Sequence, residues 1–461
     1  MKKTLFSFAL LFLFAFVLTA CGNGEEENGD DNGDNGEECV NRADEGVEYF
    51  FDQDQAETTT ITLWLDNEDY ANAIISEFEE ENPGIRVRFS EVGSVDVRQQ
   101  LELYSGSTAA GDVVMFPHDH IGAALQSNLL YPIEGGFASD IQMRMILSSV
   151  ETATACYDYD TNQVVDCEQP GSESVLFGAP LSGESVALFY NKTLLEELTG
   201  SAEPEDNLSF ERIIEQYYEY QDELEEDYGD LMIALDVGNA YDMHFLATAF
   251  GYQLFGPDGL DSDAVNLNSE EMLNALTFMY EELRPALANR TSGDLDGESN
   301  RTLFEEGNLP YIVDGPWSIS RYVDAGIDFG VMRLPMLNDR QPLTFSGVQM
   351  GAVYSGTENP DAAFRLLEFM ASDRGLEIMY ETTNRLPALE DVSNIEGVGD
   401  DEFLSGISDQ LNYSVPMPII PEMGFFWDNA GNMYGAVWNG DETPQDAADE
   451  AQSGYESSAG N

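Results

Sequence analysis

The sequence predicts an α/β protein containing more than one unit with parallel strands. Three observations carry this expectation. Short β-prone runs alternate with amphipathic helical stretches, in the order strand, helix, strand, helix, strand over residues 60–116. Further strand and helix sets follow as far as residue 370. The 461 residues are 43% hydrophobic, enough for real cores, and at about 100–200 residues per domain the length predicts two or three domains.

In chain order, Lys2 and Lys3 form a basic start. Leu5 to Val17 is an apolar run too short to span a bilayer comfortably, and Leu18-Thr19-Ala20-Cys21-Gly22 follows. These last five residues resemble a bacterial lipobox. Residues 1–20 are then a signal peptide, and Cys21 is the lipidated first residue of a mature chain of 461 − 20 = 441 residues. An ordinary signal peptide with a chance cysteine is the alternative. Gly22 to Glu38 is almost entirely Gly, Asn, Asp and Glu, so residues 21–57 read as a disordered, self-repelling tether. Its Asp-Asn-Gly repeats lack the spacing of a calcium loop.

The folded part begins near Thr58. Thr60 to Leu65 reads as a buried strand, and Tyr70 to Glu81 as a helix with Ile74, Ile75 and Phe78 on one face, stopped by Pro83-Gly84. Ile85 to Phe89 alternates as a half-buried strand. Val95 to Tyr104 is a helix and Asp112 to Phe116 another apolar strand. Later come strands at Val186–Tyr190 and Leu231–Leu235, and helices over Phe210–Tyr228, Met243–Phe250 and Ser269–Leu283. Asn359-Pro360 opens a long helix with Ala363, Leu366, Leu367 and Met370 inward. Cys156 and Cys167 flank a polar stretch that reads as a hairpin turn. A disulfide there is favoured over two free thiols, which leaves Cys39 without an obvious partner. Binding sites in such units lie at strand C-terminal ends or between lobes.

Charge narrows the function. Eighteen Lys+Arg against 88 Asp+Glu give a net charge of −70. That excludes a nonspecific nucleic-acid binder and argues against a protein held on anionic lipid by basic patches. Such a surface suits high salt, which screens self-repulsion, or high pH. With 88 acids, close carboxylate pairs carry almost no catalytic information. The sequence has no Gly-x-Ser-x-Gly, His-Glu-x-x-His, Gly-x-x-x-x-Gly-Lys-Ser/Thr or Gly-x-Gly-x-x-Gly. His118 and His120, with His244 as a third ligand, would be a weak zinc set. The plainer reading is a polar loop facing a cleft. Two of the four Trp stand in loop-like contexts, Trp317 after Asp314-Gly315-Pro316 and Trp427 after Gly424-Phe425-Phe426. Each alone is more often core. Together they suit a site that stacks aromatic rings on sugar faces while carboxylates accept hydroxyl hydrogen bonds.

The ordered blocks from Thr58 to Glu450 resemble the bacterial extracellular solute-binding proteins of the maltose/maltodextrin-binding kind. They are Ile61–Leu65, Gly111–Asp119 with Gly122 and Gln126–Leu130, Pro180–Glu184, Ala187–Lys192, Asp314–Trp317, Phe329–Val331 with Leu334-Pro335, and Met417-Pro418 through Pro421, Met423 and Trp427. The resemblance implies a two-lobed fold of the periplasmic-binding-protein type II kind with the ligand cleft between lobes. Residues 58–182 and 347–399 would form the first lobe, and 183–346 and 400–461 the second. It also implies roles. Phe116 stands where the family has a Trp beside the sugar, Asp119 accepts a sugar hydroxyl, and Glu184 is the hinge-side glutamate. Tyr241 stacks, Trp317 and Trp427 are the main stacking tryptophans, and Met417 lines the far subsites. His120 occupies a position where the family often has a base. A family lysine near Glu68-Asp69 and arginine near Gly431 are missing, and Asn239 is the nearest polar substitute for a carboxylate near Tyr241.

The expected function is therefore the lipid-anchored substrate-binding subunit of an ABC importer, a monomer on the extracytoplasmic face of the cell membrane. It would bind maltose, a maltodextrin or a related neutral oligosaccharide, without catalysis, cofactor, metal or nucleic acid. A binding protein for another solute, a lipoprotein glycosidase using two carboxylates and a purely structural surface lipoprotein are the less favoured readings.

Overall fold

In the computed structural model, residues 58–460 are described, apart from 159–162, 165–170, 228–229, 258 and 289. The expected leader, Cys21, the tether, Cys39 and Cys167 lie outside the described residues. Among those described, fourteen strands form three sheets. They are β1 (Thr59–Leu65), β2 (Ile85–Glu91), β3 (Val113–Pro117), β4 (Thr154–Asp158), β5 (Gln163–Val164), β6 (Glu173–Leu176) and β7 (Ala179–Glu184). Then come β8 (Ala187–Asn191), β9 (Ile233–Ala234), β10 (Tyr311–Asp314), β11 (Phe329–Met332), β12 (Thr344–Val353), β13 (Leu386–Pro387) and β14 (Ser414–Pro416).

The first lobe is centred on a sheet in the order β13-β7-β12-β3-β1-β2, with β14 paired to the start of β12. β1 runs parallel to β2 and β3, whereas β12 runs antiparallel to β3 and β7. β1 is β-branched and apolar because both faces of the sheet are covered. The helix Glu68–Glu81 starts where Asn67 Oδ1 accepts the Tyr70 N–H at 2.8 Å, and it buries Tyr70, Ala71, Ile74 and Phe78. Burying Ile74 and Phe78 contributes about 1.5–3 kcal/mol each.

The second lobe holds a four-stranded sheet in the order β11-β8-β10-β9. Here the parallel expectation needs correction. Only β9 and β10 pair in parallel, because β8 is wedged between β10 and β11 and runs against both. The expected helix Phe210–Tyr228 is two helices, Phe210–Glu219 and Gln221–Asp227, broken at Tyr220. The remaining sheet, β5-β4-β6, contains the expected hairpin of β4 and β5, extended by β6. Cys156 on β4 is in a disulfide. No helix among the described residues is long and apolar enough to cross a membrane.

The chain passes between the two larger sheets from β7 to β8 through Ser185 and Val186, from β11 to β12, and from β13 to the helix Glu402–Leu411, after which β14 rejoins the first sheet beside β12. That helix packs on β11, where Phe403 stacks on Phe329 at 4.3 Å. A buried polar knot ties the passages together. Ser185 Oγ lies 2.6 Å from Thr344 Oγ1 and donates to the Phe345 carbonyl at 2.9 Å, while Gln410 Nε2 donates to Thr344 Oγ1 at 3.1 Å.

Candidate functional site

Polar side chains gather where the strands of the first sheet end, as expected for the carboxyl edges of parallel strands. Asp66 follows β1, and His118, Asp119 and His120 follow β3 in one 3₁₀ turn. Ser182 and Glu184 lie on β7, Gly347 and Gln349 on β12, and Arg385 just before β13. His118 is fully buried and holds the turn in place. Its Nδ1 accepts the Val348 N–H and its Nε2 donates to the Met417 carbonyl, both at 3.0 Å. Gly122 follows this turn. A Cβ there would strike the backbone carbonyl of Ile419, so the close approach of the 417–421 segment requires glycine.

The acids at this edge are half-engaged. Glu184 Oε1 accepts from Gln349 Nε2 at 2.8 Å, Asp66 Oδ2 from Arg385 Nη2 at 3.0 Å, and Asp119 Oδ2 from Trp427 Nε1 at 2.9 Å. The second oxygen of each, Glu184 Oε2, Asp66 Oδ1 and Asp119 Oδ1, is buried without a partner. So are Arg385 Nη1, the Tyr241 hydroxyl and His120 Nδ1. A buried polar atom left unpaired costs about 1–3 kcal/mol, so this concentration marks a surface shaped for a polar guest. Burial pushes the Glu184 carboxyl up from its ordinary range, while Arg385 and the Gln349 amide pull it back. Burial, then the charges of Glu184, Asp242 and Asp119, push the Tyr241 hydroxyl well above its ordinary value, so it stays protonated.

Aromatic rings converge from the second lobe. The Trp317 indole folds back over Gly315, where a Cβ would fall inside the ring, and its Nε1 donates to Asp314 Oδ1 at 2.7 Å. Tyr241 opens the helix Ala240–Ala249, with its ring centre 6.2 Å from that of Trp317 and 6.4 Å from that of Trp427. Phe345 on β12 lies between them, stacked on Tyr241 at 6.0 Å and edge-on to Trp427 at 5.4 Å. Gly347 leaves room for Glu184 and the Tyr241 hydroxyl to approach the same strand.

The structure thus brings Asp119, Glu184, Tyr241, Trp317 and Trp427 into one neighbourhood. Trp427 arrives differently from its expected loop context, on the helix Met423–Asn439, because Pro421 and Glu422 start a helix and Phe426 turns into the core. Phe116 is only 2% exposed and belongs to the core of the first sheet. Met417 is buried too, and reaches the site through its carbonyl on His118. His120 Nε2 stands 3.9 Å from Asp119 Oδ2. Both nitrogens of His118 are occupied by backbone, and His244 stacks on Phe345 at 3.7 Å. Among the described residues no group of three or more His, Cys, Asp or Glu is placed to hold a metal. Asn239, the substitute for a family carboxylate, is spent as the cap of its helix, accepting the Tyr241 N–H at 3.0 Å. Sequence reasoning missed Asp66, Gln349, Arg385 and Phe345. The only signal for Arg385 was an arginine preceding Leu386-Pro387 in a chain of few bases.

Chemically, the site offers flat apolar ring faces on one side and unspent carboxylate oxygens with one guanidinium nitrogen on the other. It fits a neutral molecule with apolar faces and many hydroxyls.

The chain resembles known proteins over most of its length. The family described as bacterial extracellular solute-binding protein matches residues 65–377. The chain is similar to a galactooligosaccharide-binding protein of Bacillus subtilis (strain 168), 25% identical over 402 residues, covering 85% of this chain and 87% of that one. It is also similar to a maltooligosaccharide ABC transporter solute-binding lipoprotein of Streptococcus pneumoniae (strain ATCC BAA-255 / R6), 24% identical over 408 residues, with 87% and 89% covered. Among solved structures, MalX from Streptococcus pneumoniae, in complex with maltopentaose, superposes with a TM-score of 0.72 at 22% identity, over 86% of this chain and all of that one.

Proposed function

The chain belongs to the bacterial extracellular solute-binding proteins, and on that premise we propose that it is the solute-binding component of an ABC importer, taking a neutral maltooligosaccharide or a close relative between its lobes. The observation that carries the reading is the gathering of Trp317, Trp427 and Tyr241 with two half-engaged acids, Asp119, bonded to Trp427, and Glu184, beside the Tyr241 hydroxyl; the second oxygen of each acid has no partner. The names of the relatives support the same ligand class and transporter. The lobes are taken as 58–182 with 347–399 and 183–346 with 400–461. Sugar binding favours the closed form over the open one, and the membrane subunits read the closed form. Glu184, Asp119, Trp317, Trp427 and Tyr241 contact the sugar, with His120 and Met417 at its margins and Phe116 as a floor beneath. The protein is not an enzyme. It is a monomer held by lipid on Cys21 at the extracytoplasmic face, so Cys21→Ser should release it into the medium.

Titration calorimetry of the mature chain with maltotriose tests the reading. Binding is expected, with Trp317→Ala and Trp427→Ala each weakening it about tenfold or more. No heat with any neutral oligosaccharide would sink it, and new reducing ends would reveal a glycosidase. A second reading, a galactooligosaccharide ligand, is favoured by the Bacillus subtilis relative, and β-1,4-galactotriose belongs in the same titration.

A further inference from the structure

Arg385 is a buried cation in a chain where bases are scarce, and it is only 6% exposed. One of its terminal nitrogens, Nη2, donates to Asp66 Oδ2 at 3.0 Å, and the other, Nη1, is buried without an acceptor. Asp66 Oδ1 and Glu184 Oε2 are equally unspent, and the antiparallel pairing of β13 with β7, Leu386 opposite Gly183, sets Arg385 beside Glu184. A guanidinium only donates and a carboxylate only accepts, whereas a hydroxyl does both. Two adjacent hydroxyls on one ring would place their hydrogens on the two carboxylate oxygens and offer a lone pair to Nη1. An anion would meet the acids, and a cation would meet the guanidinium.

We propose that Arg385, together with Asp66 and Glu184, clamps a vicinal diol of the bound saccharide and thereby selects for one sugar ring with two neighbouring free hydroxyls. This rests on the saccharide reading above and names the subsite within it.

The groups facing Glu184 are Arg385 beside β13, Asp66 after β1, Asp119 after β3, Gln349 on β12 and the Tyr241 hydroxyl, while Tyr70 faces Arg385. Burial holds the Glu184 carboxyl above its ordinary range and Arg385 is the chief group lowering it. Without Arg385, Glu184 would take up a proton as pH falls and lose an acceptor.

Calorimetry of the mature chain with maltotriose, from about pH 8 down to about pH 6, reads this out. The wild-type affinity should be nearly flat. Arg385→Gln should bind about thirtyfold more weakly or worse, and weaken further as pH falls, whereas Arg385→Lys should restore the flat profile without the full affinity. A lower melting temperature in both variants with unchanged affinity and pH profile would mean a purely structural arginine and would overturn the proposal. If the variants do not fold, singly deoxygenated maltotrioses on the wild-type chain decide. Two adjacent positions on one ring should each cost about tenfold or more, and the absence of such a pair overturns the clamp. A wild-type chain that binds neither maltotriose nor β-1,4-galactotriose overturns the saccharide reading along with it.

Discussion

Trp317 and Trp427 each place the indole N–H on a carboxylate, yet the two carboxylates come from different places. Trp317 donates to Asp314, three residues away in the chain. Asp314 in turn accepts from the Gly315 N–H at 2.8 Å, the Tyr322 hydroxyl at 2.6 Å and Arg301 Nε at 3.2 Å. Every member lies within residues 301–322, so the ring is set by its own lobe. Trp427 donates to Asp119, 308 positions away and on the other lobe. Its neighbours Phe426 and Phe345 fix the ring's position but not its N–H. On the proposed open-to-closed movement, one aromatic wall is preorganised and the other is completed as the lobes meet. Preorganised contacts lower the ordering cost of binding, and conditional ones report closure.

The largest expected contrast comes from deleting the two acids. Asp314→Ala leaves Arg301 without its buried partner and should cost about 3–5 kcal/mol in urea denaturation, whereas Asp119→Ala should cost about 1 kcal/mol. Equal losses would break the comparison. Next, Gly315→Ala forces the Trp317 ring off its seat, at about 1–3 kcal/mol, and should weaken saccharide binding together with the tryptophan fluorescence response.

A pH scan sharpens the contrast further. Burial holds His118 below its ordinary pKa, so the folded state prefers the neutral ring. Its contribution is complete above the unfolded value near 6.5 and is lost as pH falls below it, by up to about 1.4 kcal/mol per pH unit. Protonation fills Nδ1, breaks the Val348 bond and disturbs the turn carrying Asp119. His244, driven down to about 3 by burial, adds to the same slope. Melting temperature should fall between about pH 7 and about pH 5, and His118→Gln should remove part of that fall. A slope unchanged in His118→Gln would remove His118 from this account. The smallest effect belongs to Gly424→Ala, on the Trp427 helix, where a Cβ meets nothing within 4 Å. A gain of about 0.5–1 kcal/mol is expected, without change in affinity.

Local rules made much of this legible. β1, β3 and the helix Glu68–Glu81 fall within one or two residues of their expected places, because apolar periodicity and the Asn67 cap decide them. The Gly-Pro-Trp turn is readable because Gly-Pro breaks regular structure, and the same glycine leaves the room that the ring folded back over it needs. Arg385 and Asp66 were not readable. They pair across 319 positions, the strand beside Arg385 has two residues, and one acid among 88 announces nothing. The helical setting of Trp427 was hidden for a different reason, since a run of Gly and aromatics carries little helix signal before its packing is known.

The knot of Ser185, Thr344 and Gln410 has a consequence for how such a protein can diversify. Because the chain passes repeatedly between the sheets, neither lobe is a continuous stretch of coding sequence. Exchanging one lobe with a relative by recombination would need several simultaneous breakpoints, and the knot's three side chains would have to arrive as a matched set from separate segments. Substitutions on the facing walls therefore change ligand preference with less disruption of the frame than an exchange of lobes would.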